Sequence, residues 1–148
     1  MKQIILFASV MLSVTAFTQW DTGHYKGTEE PYKQQLVNGV YYIQEERVPC
    51  EYVVEKDIDN DAWVVSIYPF RGSQKASWEG ETYQDVVLIN KSGEKTRLQT
   101  LCVDGMMLFY DDSFIEFDNF IREKGEYTVS MTHKKEEGHP SYRFTFKN

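Results

Sequence analysis

Two short segments gather side chains that could do chemistry. In Asp57-Ile58-Asp59-Asn60-Asp61 the carboxylates alternate as they do at the opening of a calcium loop, and Ca²⁺ needs several oxygen ligands at once. The match ends there, because Ala62 stands where such a loop needs glycine and Tyr68 where it needs a bidentate glutamate. Aspartate also stabilises turns, so the segment reads as a solvated hairpin loop, and no metal site is expected. Trp78-Glu79-Gly80-Glu81-Thr82-Tyr83 sets two acids between two aromatics. Rings stack on a pyranose face and carboxylates hold hydroxyls, so these residues have the makings of a sugar site. Used catalytically, two such acids would have to flank a glycosidic bond at about 5–5.5 or 6.5–9.5 Å, a separation that chain spacing does not set. The structural alternative packs Trp78 over one end of the fold with exposed acids around it.

Other chemistry is thinly represented. His24, His133 and His139 do not form the i, i+4 pair of a zinc helix, and no Gly-x-Ser-x-Gly elbow occurs. No catalytic residue and no cofactor are expected. Lys134-Lys135-Glu136-Glu137 is a self-compensated loop rather than a basic patch. Sixteen Lys plus Arg against 23 Asp plus Glu leave a formal charge of −7, which opposes non-specific nucleic-acid binding.

The address is written in residues 1–18. Lys2 precedes an apolar stretch, small residues follow at Ala16 and Thr18, and polar Gln19 comes next. That layout is a secretory signal peptide, too short for a spanning helix, so no integral membrane segment should remain after cleavage. The protein is expected to be secreted or periplasmic. Export would bring Cys50 and Cys102 into an oxidising compartment, and both fall in an inward strand phase. A disulfide between them is expected, with two buried free thiols as the alternative.

The elements that must position these residues are strands. With 148 residues, 41% of them hydrophobic and 15% aromatic, the chain suits one domain rich in strand formers. Residues 19–35 are polar and broken by Gly23, Gly27 and Pro31, and read as an irregular N-terminal arm. Residues 36–148 read as a single β domain. Asn38-Gly39 signals a tight turn before a strand over 40–45. Alternating apolar and polar residues predict strands over 50–56, 63–68, 127–132 and 142–146. A continuous apolar run at 85–90 suits a strand buried on both faces, and turns at 91–94 and 104–105 join it to strands over 96–103 and 106–110 in a meander. Ser113 and Glu116 have capping-box spacing, and Phe114, Phe117, Phe120 and Ile121 share a helical face, so a helix is predicted over 113–124 before Gly125. Seven or eight strands with one short helix make an antiparallel β-sandwich or small barrel.

The function read from this pattern is an exported, non-enzymatic β domain that binds a glycan or protein partner. Its contact residues are expected among aromatics outside clear strand alternation and the acids beside them: Trp20, Tyr25, Tyr32, Trp78, Glu79, Glu81 and Tyr83. The competing reading is a small exported hydrolase of polysaccharide or peptidoglycan, with Glu79, Glu81 or a carboxylate of residues 57–61 as acid or base.

Overall fold

The computed structural model describes residues 20–69 and 76–148. The predicted signal peptide lies outside the described residues. The first strands are β1 (Asp21–His24), β2 (Pro31–Ile43), β3 (Glu46–Asp57) and β4 (Ala62–Tyr68). β5 (Glu81–Asn90), β6 (Lys95–Val103) and β7 (Met106–Tyr110) form the expected meander, in which Tyr83 faces Leu101 and Leu101 faces Leu108. Helix α1 (Asp112–Phe120) leads to β8 (Glu126–Thr132) and β9 (Ser141–Lys147). All pairings are antiparallel, in the order β2-β3-β4-β7-β6-β5-β8-β9, and β2 pairs with β9 to close an eight-stranded barrel. Of the two expected architectures, the barrel is the one formed.

The first correction concerns Asn38-Gly39. No turn forms there: both residues lie inside the 13-residue β2, with Gly39 opposite Cys50 on one side and Phe144 on the other. Glycine is required by close approach. A Cβ at Gly39 would lie 2.6 Å from the Tyr52 ring, 2.7 Å from the Arg143 carbonyl oxygen and 2.8 Å from Phe144 Cβ. Tyr52 uses that space to tie the seam. Its ring stacks on Phe144 at 4.4 Å, and its hydroxyl donates to the Val40 carbonyl at 2.6 Å and accepts from the Arg143 N–H at 3.2 Å. Burial pushes that phenol well above the ordinary tyrosine range, so it stays protonated and keeps donating.

The segment read as an irregular arm is also a correction. Asp21–His24 pairs with the first part of β2, with Asp21 opposite Gln34. Its turn is built from the bond of the Tyr25 N–H to the Glu30 carbonyl, with Gly27 at φ 76°. Between the β1 and β9 pairings, residues 35–38 of β2 pair with β3 alone, leaving the other edge of the strand open. Gln35 bridges the gap with a buried side chain that donates to the Lys147 carbonyl at 3.0 Å and accepts from the Lys147 N–H at 3.2 Å. The amide takes the place of a peptide group in the ladder. Gln84 does the same on β5, accepting from the Lys134 N–H beyond the last paired residues of β5 and β8.

The barrel interior is filled by side chains rather than kept open. Tyr52, Trp63, Ile67, Leu88, Leu98, Met107, Phe109, Val129 and Phe146 point inward and are buried, as in small barrels generally. Helix α1 closes one end. Phe117 reaches 4.8 Å from Phe109 and 5.1 Å from Trp63, ring centre to ring centre, and stacks on Phe146. The helix ends earlier than expected, at Phe120, and its N-cap is Asp111 with no side-chain cap bond. Ser113 instead bonds back to the Tyr110 backbone, so the capping box does not form. β5 is buried on one face: Val86 and Leu88 are inside, while Val87 and Ile89 are half-buried on the outside. No described helix is long and apolar enough to cross a membrane.

Candidate functional site

The meander places a cleft of about 460 Å³ on the outer face of β5, β6 and β7, against the start of α1. Side chains alternate across a strand, and the register therefore aligns Tyr83, Leu101 and Leu108 in one outward row. Leu101 and Leu108 form an apolar floor, with Tyr83 and Tyr110 standing as walls. Those two tyrosines are 56% and 38% exposed, and their hydroxyls share a hydrogen bond at 2.5 Å. Asp85, Asp111, Asp112 and Glu116 line the rim. Arg97 sits among them, 3.6 Å from the Asp85 carboxylate.

Local structure fixes Tyr110. Ser113 Oγ accepts from the Tyr110 N–H at 3.0 Å and donates to its carbonyl at 2.9 Å, while Asp111 takes φ 53° to turn the chain from strand to helix. The Tyr110 phenol is raised above its ordinary value, first by its hydrogen bond to Tyr83 and also by the nearby Asp111 and Glu81 charges. It stays protonated at neutral pH. The arrangement offers an apolar platform, two phenol hydroxyls, several carboxylate acceptors and one guanidinium donor, all reachable from solvent.

Of the residues singled out from sequence, the structure brings Tyr83 into this cleft and sets Glu81 beside it. Glu79 is exposed and lies outside the cleft's lining. Trp78 is buried, with its indole N–H donating to the Tyr142 hydroxyl at 3.0 Å and its ring edge-on to His133 at 4.7 Å. It plugs the barrel near the loop before β9, so its ring and its polar atom are both in use. Tyr25 and Tyr32 pack with tilted rings, centres 5.0 Å apart, on the β1–β2 hairpin, and the Tyr25 hydroxyl donates to Glu55 at 2.6 Å. Asn60, in the Asp57–Asp61 turn, bonds to Asp57 and to Glu30. The described residues contain no cluster of three or more His, Cys, Asp or Glu side chains placed to hold a metal ion.

Trp20 stands at the end closed by α1. It packs 5.7 Å from Trp63 and 6.3 Å from Phe146, with the Lys33 ammonium 4.7 Å over its ring. Trp20, Lys91, Lys124 and Lys147 line a second cleft, of about 480 Å³.

The expected disulfide is absent: Cys50 and Cys102 are free and buried. Their inward phase was read correctly, but the strand order separates them. Cys102 aligns with Met107, Met107 with Val65, and Val65 with Val54, four residues from Cys50. Their backbone positions are thus about 13 Å apart along the strands and about 14 Å apart around the wall, whereas a disulfide needs Cα atoms within about 7 Å. Burial pushes the Cys102 thiol up to about 12.

Sequence reasoning did not single out Tyr110, Asp85, Arg97, Asp111, Asp112 and Glu116. Tyr110 carried a signal, as an aromatic in the outward phase at the end of a meander strand. The protein matches no family model, no curated protein and no solved structure.

Proposed function

We propose that this protein is an exported, non-enzymatic barrel domain that binds a glycan in the cleft between β5, β6, β7 and α1. The observation that carries this reading is the exposed, hydroxyl-linked Tyr83–Tyr110 pair over an apolar floor and beneath a carboxylate-rich rim. A saccharide has an apolar ring face and an edge of hydroxyls, and those surfaces match the floor and the rim. Binding sites for small ligands combine concavity, apolar walls and a few convergent polar groups. A cleft of about 460 Å³ lies within the range of small-ligand pockets. Export is supported by the signal-peptide pattern of residues 1–18. The non-enzymatic reading is supported by the acids expected of a hydrolase: Glu79, Glu81, Asp59 and Asp61 are exposed to solvent and Asp57 is half-buried at the end of β3.

A glycan array probed with the purified protein, its Tyr83→Ala variant and its Tyr110→Ala variant tests this reading. Enrichment of one saccharide class, lost in both variants, is the expected result. Binding that survives both variants would remove the cleft from the argument. Release of reducing ends from the bound glycan would replace binding with hydrolysis.

A further inference from the structure

The end of the barrel closed by α1 gathers several lysines. Around Trp20, Lys91, Lys124 and Lys147 line one cleft, and Lys33 lies over the indole ring. Of the acids nearby, Glu126, which lines the same cleft, and Asp118 are engaged. Glu126 pairs with Lys147 at 3.8 Å, and Asp118 accepts from Lys56 at 3.0 Å and from the Trp63 indole N–H at 3.1 Å. Glu123 shares an adjacent depression with Lys91 and Lys124. Lys33 has no carboxylate at ion-pair distance among the described residues. Its pKa is lowered first by burial and then by Lys56 and Lys124.

We propose that this corner is a binding site, separate from the Tyr83 cleft, for the acidic group of a small ring compound, with Lys33, Lys91, Lys124 and Lys147 holding the anion and Trp20 flanking the ring. Gathering lysines in a chain of net charge −7 costs like-charge repulsion, which a bound carboxylate or sulfate relieves. The lysine stems and the indole supply apolar wall while the ammonium heads supply charge, so the site suits a ring that carries an anion better than a bare ion. The Trp20 indole N–H is buried without an acceptor among the described residues, an unmet bond that an oxygen of the ligand would satisfy with a small tilt of the ring.

The test uses the protein as purified from its expressing cell, labelled with ¹⁵N and titrated with glucuronate, 4-hydroxybenzoate, sodium sulfate or glucose. The chain has three tryptophans, and the Trp20 indole signal is assigned by its loss in Trp20→Phe. Glucuronate or 4-hydroxybenzoate should shift that signal to saturation in the millimolar range or below, leaving the Trp78 signal in place, and the one that binds more tightly tells whether the ring is a sugar or an aromatic. Lys91→Gln with Lys124→Gln, both at exposed positions, should weaken binding roughly tenfold, the loss of a charge-assisted hydrogen bond, with a melting temperature no lower than that of the wild type. Tyr83→Ala should leave the titration intact. Saturation by sulfate to the same degree would mean an adventitious ion only. An equal shift with glucose, no saturable shift, unchanged affinity in the lysine double variant, or loss of binding in Tyr83→Ala would each overturn the proposal.

Discussion

Gly39→Ala tests the closure of the barrel directly. The added methyl carbon would sit 2.6 Å from the Tyr52 ring, 2.7 Å from the Arg143 carbonyl oxygen and 2.8 Å from Phe144 Cβ, roughly an ångström inside ordinary contact. Two of those three atoms are backbone or the root of a side chain, so neither yields by a change of rotamer. Overpacking costs about 1–3 kcal/mol, and the rigid neighbours put this site at the upper end. Alanine restores about 0.5–1 kcal/mol by narrowing the unfolded ensemble, which leaves a net loss of about 2 kcal/mol. For a domain of this size that is a fall in melting temperature of roughly 5–10 °C. Urea unfolding followed by tryptophan fluorescence, beside a thermal melt by circular dichroism, measures both quantities. Asn38→Ala, at the exposed neighbouring position, should change stability by no more than about 0.5 kcal/mol. Gly39→Asn separates the strand from a turn: asparagine tolerates a left-handed turn position but is larger than alanine in a crowded strand. If Gly39→Asn proves milder than Gly39→Ala, the glycine is serving a turn and the β2–β9 seam is wrong.

Two further outcomes follow from buried titratable groups. In denaturant without reductant, Ellman's reagent should count two free thiols per chain, and at pH 8 the native protein should react far more slowly, because burial suppresses both thiolates; no titratable thiol in denaturant would restore the disulfide. His133 is buried against Trp78, with Nδ1 unpartnered among the described residues and Glu136 nearby, and burial lowers its pKa below 6.5. The unfolded chain therefore binds a proton there that the folded chain refuses. Stability is full above about pH 6.5 and falls as the pH drops below it. His133→Phe should flatten the stability profile between about pH 7 and 5 in pH-dependent melts, and a profile identical to wild type would remove His133 from the acid response.

Most of the strands were legible because one-sided burial writes a period of two into the chain. Tyr127, Val129 and Met131, or Tyr142, Phe144 and Phe146, alternate with polar residues, and each set is buried as that pattern requires. The readings that failed did so where one residue answers to a partner far along the chain. Gly39 looks like turn chemistry because its real reason, the approach of Phe144 and Arg143, is more than a hundred residues away. Gln35 breaks the apolar alternation of β2 because its amide replaces a ladder bond to Lys147. The cysteine pairing failed for the same reason: inward phase is local, whereas strand order is not.

That distinction also explains why one of the two candidate clefts was within reach. The Tyr83 cleft lies on three strands joined by short turns, and such turns fix register locally. Once Asp104-Gly105 sets Val103 against Met106, Leu101 must face Leu108, and the turn after Asn90 sets Tyr83 beside Leu101. Phase alone then turns Tyr110 outward on the same sheet face, so its pairing with Tyr83 follows from neighbours in sequence. The lysine corner draws Trp20, Lys33, Lys91, Lys124 and Lys147 from five separate stretches. The β1–β2 hairpin sets Trp20 beside Lys33, and the β5–β8–β9 pairings gather Lys91, Lys124 and Lys147; barrel closure then brings the two groups together. A substitution at Gly39 that loosens the seam should therefore disturb the lysine corner before the Tyr83 cleft, since β2 and β9 carry Lys33 and Lys147 whereas the cleft rests on the meander. Indole and lysine signals that hold their wild-type positions in Gly39→Ala while Tyr83 and Tyr110 shift would reverse that order and refute it.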